Sequence, residues 1–537
     1  MPPILLLITG AVPLVLLAKH WWTKSAPLPG LPYNKSPNPL GDIIGLFTTP
    51  PVDYFSQHVL KHGKISQVLL GPLGRLILVA DAKEIEENLL KQAQNFDKAG
   101  FVRAAFFCAL PEGTVSLPTN EQWKLHRRMM APSMSPAFLA TRMNRISANV
   151  QKLLDIWALK SNFSLQSNGV FECDDDLERF SMDNILEVLF GENMHCLGST
   201  YDYLLGLDVS ASHTTGGVFK IDAPTPQTYQ SLRYFLKGMG KALASGSAQL
   251  VYFRLNLTPS WRSARRGSYR FVAAKLGEHQ EHGNAGPQDS YLDRLSARYP
   301  GGRPKDVSPT GFQDEILTYI VGGADSTATV ICWMLRYLTL HPQVQIRLHD
   351  DLSAAFQMTD KFSVSIEDLQ GPRFPYLDAV IHETLRLSNV SGISPRDALR
   401  DVAIAGVHIP RGSKVLFLTG HSAIHDAPPV EGKNDIASST FYPERWLVKD
   451  PSGADAFDLN SVASWPFGYG PRGCPGQRLA FLELKALLLA FSLTFYLEET
   501  QETKTSHVEM SLNLRKPSGV GIKVRKWSGP KLELQKV

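Results

Sequence analysis

Residues 467–476 read Phe-Gly-Tyr-Gly-Pro-Arg-Gly-Cys-Pro-Gly, and this stretch decides how the whole chain is interpreted. Its four glycines and two prolines predict a tight, irregular loop. Residues 477–486 have a helical composition, so Cys474 is expected just before a helix N-terminus. The positive end of that helix would stabilise a thiolate, and the flanking glycines would let a flat cofactor approach closely. The alternative for a lone cysteine is a buried side chain in an ordinary turn.

The composition indicates a globular protein with a large core. The chain has 537 residues, of which 43% are hydrophobic and 20% are charged. The net charge of +4 argues against a nucleic-acid surface, which would need a concentrated basic stripe. Five cysteines, with no two close together, indicate neither a disulfide framework nor a zinc ribbon. A reducing compartment is the simpler interpretation.

The N-terminus predicts a membrane anchor over residues 1–24. No charged residue occurs from Ile4 to Ala18, and Trp21 and Trp22 follow in the manner of an interfacial belt. A cleaved signal peptide is the alternative, but no positive charge precedes the apolar run. Residues 25–40 are proline-rich and predict a stiff hinge. Residues 41–537 contain no repeat or clear linker, which favours one catalytic domain.

Most of that domain is predicted to be helical, with small sheets, so the fold class is mainly α (α+β). Ser308, Pro309 and the His341-Pro342 pair predict one long helix over Pro309–Leu340. Short strands are predicted at Ile65–Leu70, Arg75–Val79 and Val402–Ile409.

The cysteine loop resembles the haem-binding signature of the cytochrome P450 family, Phe-x-x-Gly-x-Arg-x-Cys-x-Gly. Phe467, Gly470, Arg472, Cys474 and Gly476 occupy all of its defined positions. The resemblance implies the cytochrome P450 fold, with the long helix over the haem. It also implies that Cys474 is the iron ligand, that Phe467 packs beside its sulfur, and that Arg472 pairs with a haem propionate. Arginine suits that role because its planar fork binds carboxylates through two bonds.

A second motif is Glu383-Thr384-Leu385-Arg386, which places a carboxylate and a guanidinium one helical turn apart. In the family such a pair joins a later arginine, and Arg445 occupies that position here. The resemblance therefore implies a structural network of Glu383, Arg386 and Arg445 that serves folding and haem retention.

Three further residues resemble the family's propionate ligands. Trp123 and Arg127 match its Trp-x-x-x-Arg helix, and this spacing puts both side chains on one helix face. An amphipathic surface helix would show the same spacing. Arg396 lies where the family often supplies another propionate arginine, although the usual Pro-Pro pair is replaced around Asn389-Val390.

The long helix carries Gly322-Gly323-Ala324-Asp325-Ser326-Thr327, which resembles the family's oxygen-activation segment. Two glycines inside a helix each cost about 1 kcal/mol relative to alanine, so they need a reason. The resemblance implies that Gly322 and Gly323 leave room for dioxygen and that Asp325 relays protons. Most family members have threonine where this chain has Ser326. Whether Ser326 or Thr327 serves the relay stays open, and ordinary helix back-bonding would also account for the pair.

These motifs together imply a haem-thiolate monooxygenase. The implied cofactor is haem b, with O2 as co-substrate and electrons from NADPH. The implied partners are a cytochrome P450 reductase, with cytochrome b5 as a second candidate donor, and the endoplasmic reticulum membrane, with the catalytic body in the cytosol. A lipophilic small organic substrate, such as a specialised metabolite, is favoured by the apolar residues before the Trp123 helix, which are Phe101, Val102, Ala104, Ala105, Phe106 and Phe107. The alternatives are a peroxide isomerase or dehydratase on the same haem fold, or a non-catalytic haem-binding protein.

Overall fold

One long helix, Pro309–Leu340, runs through the core of the larger unit of the structure, with the bounds that the sequence predicts. Ser308 begins it, because its hydroxyl accepts a hydrogen bond from Gly311 N at 2.8 Å. Pro309 occupies the first turn, where its missing N–H costs nothing. Pro342 starts the next helix, and the residue before a proline is disfavoured in helical geometry. Local signals therefore determine both ends.

The computed structural model describes residues 26–35, 38, 40–164, 168–207, 214–215, 217–245, 247–281, 290–299, 301–356, 369, 373–428, 436–511 and 514–527. The chain divides into a smaller unit of residues 1–102, 391–439 and 463–474, and a larger unit of residues 103–390, 440–462 and 475–537. The predicted anchor, residues 1–24, lies outside the described residues. The single catalytic domain over residues 41–537 stays a prediction.

The smaller unit is built around a five-stranded sheet. Its helices are α1 (Ile43–Thr48), α2 (Pro51–His62), α3 (Ala82–Glu86) and α17 (Thr419–His425). Its strands are β1 (Ile65–Leu69), β2 (Arg75–Val79), β3 (Phe96–Lys98), β7 (Ser394–Ala398), β8 (Val402–Ile404), β9 (Val407–Ile409) and β10 (Lys414–Phe417). The strand order is β1-β2-β10-β7-β3. Only the β2–β10 pair is parallel; the other pairs in this sheet are antiparallel.

Both faces of this sheet are buried, because side chains alternate along each strand. Ile77 of β2 and Val415 of β10 belong to one apolar cluster, together with Leu31. Leu78 and Leu416, their neighbours in sequence, belong to a second cluster on the other face. A strand buried on both sides has a continuous apolar sequence, as residues 76–79 do.

The prediction of one strand over Val402–Ile409 is wrong, because this segment is a hairpin. Val402 pairs with Ile409, and Ile404 pairs with Val407. The turn places Ala405 at φ 47° and Gly406 at φ 78°, which is the left-handed geometry of a tight hairpin turn. Alanine gives no sequence signal for that geometry.

The described part of the proline-rich segment is bound to the smaller unit. The side-chain amide of Gln67 donates to the carbonyls of Leu28 and Leu31 at 2.9 and 2.8 Å and accepts from Leu28 N at 2.9 Å. Arg75 donates to the Ala26 carbonyl at 2.7 Å. Residues 26–31 are therefore anchored to β1 and β2 rather than free of them.

The larger unit is mostly helical. Helix α4 (Gly100–Phe107) crosses from the smaller unit into it. Its helices are α5 (Glu121–Met130), α6 (Pro136–Ala140), α7 (Met143–Phe163), α8 (Asp174–Phe190), α9 (Cys196–Leu205), α10 (Gln227–Ala244), α11 (Ala248–Leu257), α12 (Pro259–Glu281), α13 (Tyr291–Arg298), α14 (Pro309–Leu340), α15 (Pro342–Ser353), α16 (Pro375–Ser388), α18 (Gln477–Thr494) and α19 (Gln501–Thr505). Its strands are β4 (Phe171–Glu172), β5 (Thr214–Thr215), β6 (Val218–Phe219), β11 (Leu447–Lys449), β12 (Asp455–Phe457), β13 (Phe495–Glu498), β14 (His507–Ser511), β15 (Leu514–Ser518) and β16 (Gly521–Lys526). One sheet has the order β13-β16-β4-β6-β5, and β11–β12 and β14–β15 form two-stranded sheets.

Helix α14 is a core helix that packs against α8, α16 and β15. Among the described residues, it is the one helix long and apolar enough to cross a membrane, but 72% of its most apolar window is buried inside the structure. Its two adjacent glycines differ in environment. A Cβ at Gly323 would lie 2.9 Å from Ile185 of α8. A Cβ at Gly322 would meet no atom of another described element within 4 Å. Gly323 is therefore required by helix packing.

The two glycines can be separated by matched substitutions. Gly323→Ala should lower the free energy of unfolding by about 1–3 kcal/mol, because the added methyl group would overpack the contact with Ile185. Gly322→Ala should be neutral or stabilise the helix by up to about 1 kcal/mol. Denaturant titration of both variants beside the parent protein would measure this. Equal losses from the two substitutions would contradict the packing role of Gly323.

Candidate functional site

The cysteine loop has the tight geometry that its glycines predict. Gly470 has φ 66°, and a Cβ there would lie 2.3 Å from the Leu89 carbonyl oxygen, so only glycine fits. Cys474 N donates to the Phe467 carbonyl at 2.8 Å, which closes the loop. The Cys474 side chain is exposed, and helix α18 begins three residues later at Gln477. The loop thus presents a sulfur near a helix N-terminus, where a thiolate is stabilised.

Two arginines of the smaller unit lie close enough for their charges to interact. Arg472 donates to Asp97 Oδ1 from Nη2 at 2.8 Å and from Nε at 3.2 Å. Arg396 is buried, and its Nη1 donates to the Pro395 carbonyl at 3.0 Å. Burial and the neighbouring charge of Arg472 lower the pKa of Arg396 to about 10. Two guanidiniums beside one carboxylate leave a net positive charge in a poorly solvated place, which favours binding of further carboxylates.

These features of the smaller unit fit the haem that the family resemblance implies. A soft anionic sulfur suits haem iron, and a cationic pair suits the propionates. Because Gly470 has no side chain, the loop can pack directly against the Leu89 carbonyl. The residues present are therefore compatible with a thiolate-ligated haem.

Trp123 and Arg127 lie on one face of α5, in the larger unit. Asn120 caps this helix by accepting from Trp123 N at 2.9 Å. The Arg127 guanidinium lies 5.7 Å from the centre of the buried Trp123 ring, which is within cation–π range. The sequence spacing alone predicts this pairing.

The structure brings together Glu383, Arg386 and Arg445, whose side chains are 0%, 0% and 2% exposed. Arg386 binds both carboxylate oxygens of Glu383, from Nε at 2.8 Å and from Nη2 at 2.7 Å. Arg445 Nε donates to the same carboxylate at 3.0 Å. Trp446 Nε1 and Tyr442 N, which the sequence reasoning missed, donate to it at 2.9 and 3.0 Å. The five donors satisfy the buried charge.

The residues of the segment 322–327 lie on two sides of α14. The Ser326 hydroxyl donates to the Gly322 carbonyl at 2.7 Å, one turn back along the helix. Thr327 is buried and interacts with Glu483 of α18. The two adjacent hydroxyls therefore have different partners.

Asp325 is buried, and among the described residues its Oδ2 has no hydrogen-bond partner. Burial, with a contribution from the charge of Glu178, raises the pKa of Asp325 to about 6. Lys516 and Arg233 oppose this shift. A carboxyl with a pKa near neutrality can both hold and release a proton at physiological pH.

An ion-pair cluster surrounds this carboxyl. Lys516 of β15 lies 3.2 Å from Glu178, and Arg233 of α10 lies 2.6 Å from Glu178 and 2.7 Å from Asp175. The sequence reasoning missed these residues, because they come from three separate elements of the chain.

Glu483 is a further residue that the sequence reasoning missed. It lies fully buried in α18, and burial raises its pKa to about 8. The side chains of Thr327 and Asn184 interact with it and oppose the shift. The amide of Asn184 in turn accepts from Asn149 at 2.7 Å. One signal was available, since Glu483 is the only acidic residue in the apolar run 479–484.

A family model described as Cytochrome P450 matches residues 37–524, and the chain therefore belongs to the cytochrome P450 family. It is 26% identical to the cytochrome P450 monooxygenase GME11363 of Pestalotiopsis microspora, over 92% of this chain and 94% of that protein. It is 27% identical to the cytochrome P450 monooxygenase xilC of Penicillium crustosum, over 92% and 91%. A solved cytochrome P450 structure (CYP102L1) matches with a TM-score of 0.74 and 20% identity, over 94% of this chain and 100% of that one, which shows the fold. The protein is a P450 monooxygenase, and its family implies a haem-thiolate iron and dioxygen.

Because Glu483 keeps its proton in the folded protein up to about pH 8 but loses it near pH 4.5 when unfolded, folding becomes less favourable as pH rises through this window. Glu483→Gln removes that dependence. The stability of the variant relative to the parent protein should therefore grow between pH 4.5 and about 8 and then level off. Denaturant titration across this range, with exposed Glu121→Gln as control, would measure it. A difference that does not change with pH would contradict a protonated Glu483.

Proposed function

We propose that Cys474 is the thiolate ligand of haem iron in this monooxygenase. The observation that carries this proposal is the glycine-rich loop that presents Cys474 before α18 and lies in the same unit as the Arg396–Arg472 pair. When bound, the haem supplies the reductive activation of dioxygen. The Phe467 carbonyl accepts a hydrogen bond from Cys474 N and closes the loop, and Gly476 is the N-cap residue of α18. Arg396 and Arg472 of the same unit bind the propionates.

Asp325 and Ser326 deliver protons. Asp325 holds a proton at its buried Oδ2, where a pKa of about 6 allows exchange near neutral pH. Ser326 Oγ, which donates to the Gly322 carbonyl, passes protons on the side of α14 where Gly322 leaves space for dioxygen. Thr327 faces Glu483 instead and has a structural role.

The substrate is a lipophilic small organic molecule, of the kind made in specialised metabolism. Membership of the family and similarity to monooxygenases of Pestalotiopsis and Penicillium support this class. Electrons come from NADPH through a membrane-bound cytochrome P450 reductase. The apolar residues 4–18 anchor the chain in the endoplasmic reticulum membrane, with the catalytic residues on the cytosolic side.

The carbon monoxide difference spectrum of the reduced protein tests the central assignment. The parent protein should give the long-wavelength band of a thiolate-ligated haem, and Cys474→Ala and Cys474→His should lose it, because neither supplies a thiolate. Cys108→Ser is the matched control, since Cys108 is the other cysteine with partial exposure in the described residues, and it should keep the band. Folded parent protein without this band would refute the assignment of Cys474.

Substitution of the two adjacent hydroxyls separates their roles. Ser326→Ala should lower product formation by roughly 10²-fold while NADPH consumption continues and hydrogen peroxide is released, because a proton-relay group is lost. Thr327→Val should keep product formation coupled to NADPH and mainly reduce stability. The ratio of product formed to NADPH consumed measures the coupling in each of the two variants. A loss of coupling in Thr327→Val, with Ser326→Ala unaffected, would reverse the assignment.

A further inference from the structure

A polar cleft with a volume of about 430 Å³ lies between helices α10 and α12 of the larger unit. This volume is within the range of small-molecule sites. The cleft is lined by side chains that donate hydrogen bonds, and none of the lining residues has a role in the oxygenation proposed above. The lining includes Gln227, Thr228, Ser231, Ser263, Arg266 and Arg270.

The charge of the cleft comes from Arg266 and Arg270. They are four residues apart on α12, so their side chains lie on one face, where their like charges repel each other. Both are exposed, and in the described part of the chain neither forms an ion pair with a carboxylate. Arg266 Nε donates to the Arg262 carbonyl at 3.2 Å, and among the described residues the terminal nitrogens of Arg266 form no hydrogen bond. Two adjacent cations without a carboxylate partner favour an anionic ligand.

The bottom of the cleft depends on a glycine. A Cβ at Gly267 would lie 2.8 Å from Ser231 Oγ, so glycine lets α10 and α12 approach and leaves the Ser231 hydroxyl between them. Thr228 and Gln227 lie in the first turn of α10, whose end carries positive partial charge. No carboxylate belongs to the lining. Hydroxyls and guanidiniums therefore converge on one small space.

We propose that this cleft binds the phosphate group of a phosphorylated ligand. Phosphate offers several acceptor oxygens around one centre, and the planar fork of arginine binds them through two bonds. Arg266 and Arg270 supply the charge, and Ser231, Ser263 and Thr228 supply neutral donors. Such a ligand would be either a soluble phosphate compound or a phospholipid headgroup, which share this chemistry.

The test is a calorimetric titration of the full-length holoprotein in detergent with two probes, pyrophosphate and a short-chain phosphatidic acid. The cleft variant is Arg266→Gln with Arg270→Gln. The matched control is Arg254→Gln with Arg262→Gln, which removes the same charge from exposed positions on α11 and α12 outside the lining. An unchanged carbon monoxide spectrum in all variants shows that the haem region is intact.

We expect the cleft variant to weaken probe binding by at least about tenfold, because it loses the charge-assisted hydrogen bonds of both arginines. The control variant should bind the probes like the parent protein. Binding of pyrophosphate with this pattern supports a soluble ligand. Binding of phosphatidic acid alone with this pattern supports a lipid headgroup. Absence of binding by both probes, or an equal loss in the control variant, would overturn the proposal.

Discussion

The buried carboxylate of Glu383 is the constraint on which the local arrangement of the larger unit depends. An ionised carboxylate with no solvent exposure is tolerated only if its oxygens are fully hydrogen-bonded. Five donors meet that requirement, two from Arg386 on the same helix and three from residues 442–446. Residues 442–446 follow Glu383 by 59 to 63 positions in the sequence. The network therefore joins α16 to the segment before β11 in one geometry, and a shift of either element would leave a charge unpaired.

Features of the fold that depend on neighbouring residues could be predicted from the sequence. The bounds of α14 follow from Ser308, Pro309 and Pro342, each of which acts within one turn. The pairing of Glu383 with Arg386 follows from their spacing on one helix, and that of Trp123 with Arg127 likewise. The place of Arg445 in this network was predicted only from the resemblance to the family, because no local spacing rule connects Arg445 to Glu383.

Features that depend on distant contacts, or on an unusual backbone conformation, could not be predicted. The hairpin at Ala405 needs a positive φ that alanine rarely adopts, so its sequence looks like a continuous strand. Glu483 interacts with Thr327, which is far away in the sequence, and no spacing rule connects them. The charges around Asp325 come from α8, α10 and β15. For Glu483 and Asp325, the environment of the side chain, rather than the residue type, determines the pKa.

The helical geometry of α14 explains why Gly322 and Gly323 have different environments, and why Ser326 and Thr327 do as well. Successive helical residues are turned by about 100°, whereas residues four apart share a face. Gly322 and Ser326 form one such pair, joined by the hydrogen bond from the Ser326 hydroxyl to the Gly322 carbonyl. Gly323 and Thr327 form the other, and they face Ile185 and Glu483 in the core. One face of α14, with Gly323 and Thr327, therefore packs in the core, whereas the face with Gly322 and Ser326 does not. In the proposed proton relay, Ser326 supplies the hydroxyl on the face of Gly322. Thr327 could take over that position only if the helix rotated, which the contact between Gly323 and Ile185 opposes.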